Sequence, residues 1–562
     1  MFAELSRARA PIPCGLAIAV TAVELQRLFG DMVTRAAAAP VKEDGRCMVA
    51  CEAESFRLAR LALRAALVLV ANAVAGVTRR TTELDAFVER ATREARDSTI
   101  APLIEGARAR GIPVQRLNNG VLHRNHARFG HGCHQRQTIG TITDGTSSVA
   151  SAVTGSKSYT LLALQRLGLP VPGQRLVAKL EDAQAAALRI GYPLVVKPDQ
   201  GSGGVAVTAG VRNEEELVSA FSRARKHCAY VVIEEMLPGE DHRLLVCNGV
   251  MIAATQRLRA AVTGDGHSSV AALIAAENAG PRRGPSGRAD LVTIEIDEAM
   301  CAFLAREGLD PGSVPAPGRR VLLRSMSNLK AGGSLVAVDD LIHPDNRRLA
   351  ETAALGLGLD IAGVDLMIPD IAVSHIEQHC GIVEVNMAPG LAYGSFPEVS
   401  ARAVDAVLGV LFPPGSRSEI PLIVVAGASS GNAPAVVAAL AQALGAAGLC
   451  AAWYDGGDLG IGPDVLCRGV PDATTAAQQI LAQPRAQAGV LLCGPAHLFG
   501  RGLPWERCHA AVMVDDVPDA VAAFVAVAAG GNVIGGAGKP ETIARAVLDT
   551  LDPGLLERPG PA

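Results

Sequence analysis

Lys197 ends an apolar run, Tyr192-Pro-Leu-Val-Val-Lys-Pro198, and the glycine-rich turn Gly201-Ser202-Gly203-Gly204 follows at once. A lysine fixed at a strand end, beside backbone N–H groups that no Cβ screens, suits the oxygens of a phosphate chain. Farther along, Val232-Ile-Glu-Glu-Met-Leu-Pro-Gly-Glu-Asp241 has the pattern of a strand running into a linker. The backbone over Glu234, Glu235, Met236 and Leu237 is expected to pair with an adenine edge, and Asp241 to accept from ribose hydroxyls. Asp365, in Gly363-Val-Asp-Leu366, precedes Glu384 and Asn386 of Val383-Glu-Val-Asn386. These three offer only oxygen ligands, which suits Mg2+ rather than zinc. Glu384 and Asn386 stand at i and i+2 of a strand and project from one face, so both can reach one metal cluster. A carboxylate pair buried without a cation is costly, which argues against a purely structural role. ATP needs fixed cations, backbone donors and a divalent metal around its phosphates, and this ordered set supplies all three.

The elements that must position these residues follow from periodicity. Lys157–Leu167 has the pattern of a helix ending at Gly168, and Leu169-Pro-Val-Pro172 forces an extended exit. From there strands and helices alternate as far as the linker Phe412-Pro-Pro-Gly-Ser416. Upstream, Glu54–Ala75 and Thr82–Ala95 have helical spacing, Ile100–Arg110 is a short helix closed by Gly111, and Ile112 begins a strand. Thr138-Ile-Gly-Thr-Ile-Thr143 alternates like one strand before the turn at Asp144-Gly145. Downstream, the β-branched run in Ile420-Pro-Leu-Ile-Val-Val-Ala-Gly427 predicts a buried parallel strand, followed by a helix over Ala433–Ala447. With Gly489–Cys493 and Ala510–Val514 as further strands, a small doubly wound sheet is expected. The fold class is α/β and multidomain, with expected domains at 1–150, 151–415 and 418–562.

At 562 residues the chain is too long for one core, and about three or four domains is the natural expectation. A net charge of −4 without a basic run gives no reason to expect a nucleic-acid partner. The 12 cysteines are scattered with no C-x-x-C pair, which fits reduced thiols and a cytoplasmic protein. Arg7 and Arg9 ahead of Gly15-Leu-Ala-Ile-Ala-Val20 faintly resemble a secretory leader, but Pro11 and Pro13 argue against one. Leu61–Gly76 is apolar but contains Arg64 and falls short of the ~20 residues that span a bilayer, so no membrane partner is expected. His131-Gly-Cys133-His134 looks like a metal knot yet lacks a second half at zinc spacing. Cys47 and Cys51, placed on a helix, are expected to pack in the core.

Several longer motifs resemble the cyanophycin synthetases, which build a poly-aspartate backbone bearing arginine branches. Phe129-Gly-His-Gly-Cys-His-Gln-Arg-Gln-Thr-Ile-Gly-Thr-Ile-Thr-Asp-Gly-Thr-Ser147 falls without a gap on the family's L-G-Y-G-K-Y-Q-R-R-I-Q-A-T-L-T-D-R-T-S. That alignment makes Cys133 and His134 substituted strand positions. Asp241-His-Arg-Leu-Leu-Val246, Val262-Thr-Gly-Asp-Gly266, Pro281-Arg-Arg-Gly284, Ile342-His-Pro-Asp-Asn346, Asp360–Asp365 and Val383–Gly390 also follow the family. The resemblance implies an N-terminal α/β domain, an ATP-grasp domain and a Mur-ligase-like region in that order. It also implies that Lys157 is a second phosphate lysine, and that Arg243, with Arg257 as a weaker candidate, steadies the acyl phosphate and the tetrahedral intermediate. Ser98 and Thr99 fall where the family holds the acceptor's carboxy terminus. His267, Asn328 and Lys330 are candidate substrate contacts, and a homodimer or homotetramer is implied.

The departures are informative. The family's Mur-like phosphate loop, G-T-N-G-K-T-T, is replaced by Gly427-Ala-Ser-Ser-Gly-Asn-Ala-Pro434, and there is no lysine between Lys330 and Lys539. Without that cation the second site is expected to pack but not to catalyse. The family's G-N-H-G-R or G-N-Q-G-R loop becomes Gly201-Ser-Gly-Gly-Val205, removing a side chain that could serve as base. Asn328-Leu-Lys-Ala-Gly-Gly333 replaces N-L-S-T-G-G, and Leu391-Ala-Tyr-Gly394 replaces F-R-M-H. The nucleotide half is kept and the amino-acid half is altered. The expected activity is an ATP- and Mg2+-dependent ligase that joins a carboxylate to an amine through an acyl phosphate, on an amino acid such as aspartate or a β-aspartyl-arginine dipeptide. The alternatives are a non-catalytic nucleotide- or polymer-binding regulator and a ligase making a small peptide natural product.

Overall fold

Strand-forming runs on either side of Lys197 fold as the apolar pattern dictates, and they supply the first layer of the site. The structure, a computed structural model, describes residues 12–29, 33, 36–41, 46–53, 56–94, 100–117, 125–201, 203–284, 291–325, 327, 329–391, 396–505, 507–514 and 517–557. Contacts group the chain into two compact units, one formed by 97–106 with 138–414 and the other by 1–96, 107–137 and 415–562.

In the first unit, helix α1 (Lys157–Arg166) precedes strands β1 (Gln174–Val177), β2 (Leu194–Pro198), β3 (Thr208–Val211) and β4 (Val231–Glu235). They form an antiparallel sheet in the order β1-β4-β2-β3. Helices Leu180–Ile190 and Glu214–Arg225 pack their Ala183, Ala187, Leu217 and Phe221 against Leu194, Val196 and Ile233. Five longer strands make a second antiparallel sheet: β5 (Glu240–Cys247), β6 (Val250–Leu258), β7 (Ser334–Ala337), β8 (Ile361–Ile368) and β9 (Gly381–Asn386). Their order is β7-β6-β5-β8-β9. Helix Pro344–Gly356 covers one face and buries Leu349, Ala353 and Ala354 with Leu244, Val364 and Leu366. The other face carries the charged residues, because Asp241 and Arg243 alternate with the core-facing Leu244 and Val246. The segment between β6 and β7 has its own small core of Val262, Val270, Ile274, Met300 and Leu304.

In the other unit, the predicted C-terminal strands form at Leu422–Ala426, Ala488–Cys493 and Ala510–Met513, with the helix at Ala433–Ala446. They belong to a seven-stranded sheet whose central members pair in parallel, as expected for a doubly wound layer. This unit also takes in residues 107–137, which the three-domain division had assigned elsewhere. The reason is a set of backbone bonds: the Cys133 N–H donates to the Ala486 carbonyl at 2.8 Å and the His131 N–H to the Ser418 carbonyl at 2.9 Å. Among the described residues no helix is long and apolar enough to cross a membrane.

Three local expectations are corrected. Thr138–Thr143 is a hairpin rather than one strand: Gly140 has φ +63 and turns the chain, so that Thr138 pairs with Thr143. Gly132–His134 is a 3-10 turn and not strand, anchored by those carbonyl bonds, and no metal-holding group of His, Cys, Asp or Glu occurs among the described residues. Cys47 and Cys51 lie on a strand, Arg46–Cys51, though both are buried as expected.

Burial drives the His131 imidazole down to about 4, against the pull of Glu419. Its folded form therefore binds fewer protons than the unfolded chain between about pH 6.5 and 4, and stability is full above that window and lost as pH falls through it. Acid unfolding should show a loss on the order of 2 kcal/mol across this interval. Urea melts at pH 7 and 5 should diverge less in His131→Asn than in the natural chain.

Candidate active site

Sheet register explains why the charged residues meet. Arg243 on β5 lies directly opposite Asp365 on β8, and Asp365 lies opposite Glu384 on β9. Asp241 stands opposite Arg257 on β6, two residues along the same face from Arg243. Asn386 follows two residues after Glu384, so one row of strands presents two arginines and four oxygen-bearing side chains. Asp365 is 3% exposed and accepts from Arg243 through both Nε and Nη2, the latter at 2.8 Å. It accepts further from Arg257 Nη1 at 3.2 Å and Asn386 Nδ2 at 3.3 Å. Asp241 accepts from Arg257 Nη1 at 3.4 Å and from the Ser327 hydroxyl at 2.5 Å.

Two lysines reach the same place, Lys197 from the other sheet and Lys157 from helix α1. Lys197 is buried with Glu234; its Nζ lies 2.7 Å from Oε2 and 2.9 Å from Oε1. It also donates to the Val383 carbonyl at 3.2 Å, immediately before Glu384. Lys157 Nζ donates to the Gly201 carbonyl at 2.6 Å and stands 3.6 Å from Glu384 Oε1. Lys157 opens helix α1, whose first turn is fixed by Asp199: its carboxylate accepts from the Ser158 N–H and the Ser156 hydroxyl, both at 2.9 Å.

Electrostatics separate the carboxylates. Burial pushes Glu234 upward against the opposing pull of Lys197. Burial, then the neighbouring Asp365 charge, raises Asp241. For Asp365 burial works upward too, yet the guanidinium groups of Arg243 and Arg257 together hold it below the usual range. The two guanidinium groups thus favour the ionised form of Asp365.

Some expected roles change. Glu234 lies on the same face as Lys197, diagonal to it across the β4–β2 ladder, and its side chain serves as that lysine's counter-ion. The adenine-edge expectation concerns backbone. Glu235 N–H and Met236 N–H are taken by the Gly173 and Pro193 carbonyls, while among the described residues the Met236 carbonyl and the Leu237 N–H have no hydrogen-bond partner. Glu235 accepts from His379 Nε2 at 2.7 Å. Asp241, expected at a ribose, is engaged by Arg257 and Ser327. Gly201, Gly203 and Gly204 all have positive φ (109, 74 and 74), the left-handed backbone the loop required. His267 is exposed on a turn capped by Asp265, and no hydrogen bond or ion pair joins it to the cluster among the described residues. Ser98, Thr99, Ser202 and Asn328 lie outside the described residues, as does the Lys330 side chain, whose backbone is in the turn Leu329–Ala331. Asp199, Ser327 and the Val383 carbonyl were missed. Asp199 had a signal, two residues after Lys197; Ser327 had none.

Asp365, Glu384 and Asn386 would hold a hard divalent cation: all three offer oxygen, and they sit on neighbouring strands in register. Glu384 is the open member, its side chain 32% exposed.

The family model "D-ala D-ala ligase C-terminus" matches residues 163–263, which contain Lys197, the glycine loop, Glu234 and Asp241. A cyanophycin synthetase of Nostoc sp. is 31% identical over 526 residues, covering 92% of this chain and 57% of that protein. The bifunctional glutathione biosynthesis protein of Pasteurella multocida is 32% identical over 283 residues, 49% of this chain and 37% of that one. The crystal structure of a bifunctional glutathione synthetase from the same organism matches with a TM-score of 0.43 and 26% identity, over 64% of this chain and 52% of that one. The chain thus spans a little over half the length of the first of these relatives. Over 92% of its length the chain is similar to a cyanophycin synthetase, and the segment around Lys197 and the glycine loop matches the D-ala D-ala ligase model.

Proposed function

We propose that the chain is an ATP-dependent ligase that joins a carboxylate to an amine, with Mg2+ as its metal. One observation carries this reading: Lys157 and Lys197, from separate elements, both reach the β9 strand at Val383–Glu384, beside the Asp365 row. Lys157, Lys197 and the 201–204 loop hold the phosphates, and the open backbone at Met236–Leu237 takes the adenine. Asp365, Glu384 and Asn386 hold the metal, which when bound supplies charge neutralisation at the transferring phosphoryl group. The substrate carboxylate attacks the terminal phosphorus, ADP leaves, and the amine then displaces phosphate from the acyl phosphate, losing a proton. Arg243 and Arg257 lie on the same face and steady the anion that forms on the carbonyl oxygen.

The substrate is an amino acid such as aspartate or a β-aspartyl-arginine dipeptide, and the chain works as a homodimer or homotetramer in the cytoplasm. The C-terminal domain packs without catalysing, since the loop Gly427–Pro434 has no lysine. Purified protein given ATP, Mg2+ and aspartate, arginine or β-aspartyl-arginine should release ADP only with a competent substrate, alongside a new amide seen by mass spectrometry. No substrate-dependent ADP with any of these or with pooled amino acids, together with tight ATP binding, would replace this reading with that of a nucleotide-binding regulator.

A further inference from the structure

We propose that Asp241 is a positioning residue that takes Arg257 over from Asp365 when a divalent cation binds there. The inference rests on the reading of Asp365, Glu384 and Asn386 as cation ligands. Asp365 accepts from Arg243, Arg257 and Asn386 together, so a cation can reach it only if one donor gives way. Arg243 grips with two N–H groups in a fork. Arg257 is the loose one: its Nη1 stands 3.2 Å from Asp365 and 3.4 Å from Asp241, both longer than the ~2.7–2.9 Å of a formed charge-assisted bond. It is shared between two carboxylates and bound fully by neither.

Asp241 is built to receive it. The residue stands directly opposite Arg257 across the β5–β6 ladder, and the Ser327 hydroxyl steadies its Oδ2. Its Oδ1 is buried and, among the described residues, has no hydrogen-bond partner. Such an oxygen is costly unless a donor arrives, and a guanidinium has N–H groups to spare for a two-point grip. A cation on Asp365 repels Arg257 and removes one of its two acceptors, so Arg257 moves to Asp241 and satisfies Oδ1. The arginine is thereby held ready beside the metal without competing for its ligand.

Mn2+ binding, read by electron paramagnetic resonance on the full chain saturated with adenylyl imidodiphosphate, tests this. Asp241→Asn should weaken Mn2+ binding about tenfold, within the usual range of coupling between two sites. Arg257→Gln should abolish that penalty, so that the double variant binds Mn2+ as Arg257→Gln does. A penalty that persists unchanged in the Arg257→Gln background overturns the proposal and assigns Asp241 to the nucleotide instead. Equal affinities in the natural chain and Asp241→Asn overturn it as well. An Asp365→Asn variant that binds Mn2+ like the natural chain, or a natural chain that binds none, sinks the ligand reading itself and the proposal with it.

Discussion

Replacing Lys197 with methionine should cut ligase turnover by at least about a thousandfold, the order seen when a preorganised charge is removed from an active site. The same change should destabilise the fold by about 3 kcal/mol, because Glu234, 2% exposed, loses the cation 2.7 Å away and stays buried. Two causes are mixed in that variant, and a second substitution separates them. Lys197→Met with Glu234→Gln removes the stranded charge, so urea midpoints should recover most of the loss while turnover stays absent. A Lys197→Met protein that binds ATP within a few-fold of the natural chain would show that this lysine is only a core ion pair.

Asp365→Asn is expected to have the other large effect, by a different route. It removes an ionised oxygen ligand and at once deprives Arg243 and Arg257 of the counter-ion they share. A loss of about 3–5 kcal/mol is expected from breaking a buried pair of this kind. Mn2+ affinity should collapse, whereas in Lys197→Met it should change little. The two variants thus divide the proposed site into a phosphate half and a metal half. Loss of Mn2+ binding in both to the same degree would mean that the halves are not separable, and that global damage explains each result.

Much of this site could be seen in the chain before folding. The glycine loop, Lys197, Asp365, Glu384 and Asn386 could be picked out by residue type and chain order, and strand alternation already put Glu384 and Asn386 on one face. For Glu234 the reading concerned its backbone; the role of its side chain followed only from register, since its place two residues along from the partner of Lys197 made it a counter-ion. Gly140 was passed over inside an alternating run, and its positive φ turned one expected strand into a hairpin.

Residue types and their spacing by themselves marked the groups proposed to hold phosphate and metal, since those demands are local: a cation at a strand end, bare backbone, oxygens two positions apart. The tertiary structure alone decided the pairing of Arg257 with both Asp241 and Asp365, the Ser327 bond to Asp241, and the inclusion of 107–137 with the C-terminal sheet. Those contacts join positions on different segments, 108 residues apart for Arg257 and Asp365, and their existence depends on strand register and order. Neither is encoded in any short stretch of sequence, because register is set by which faces the whole sheet buries.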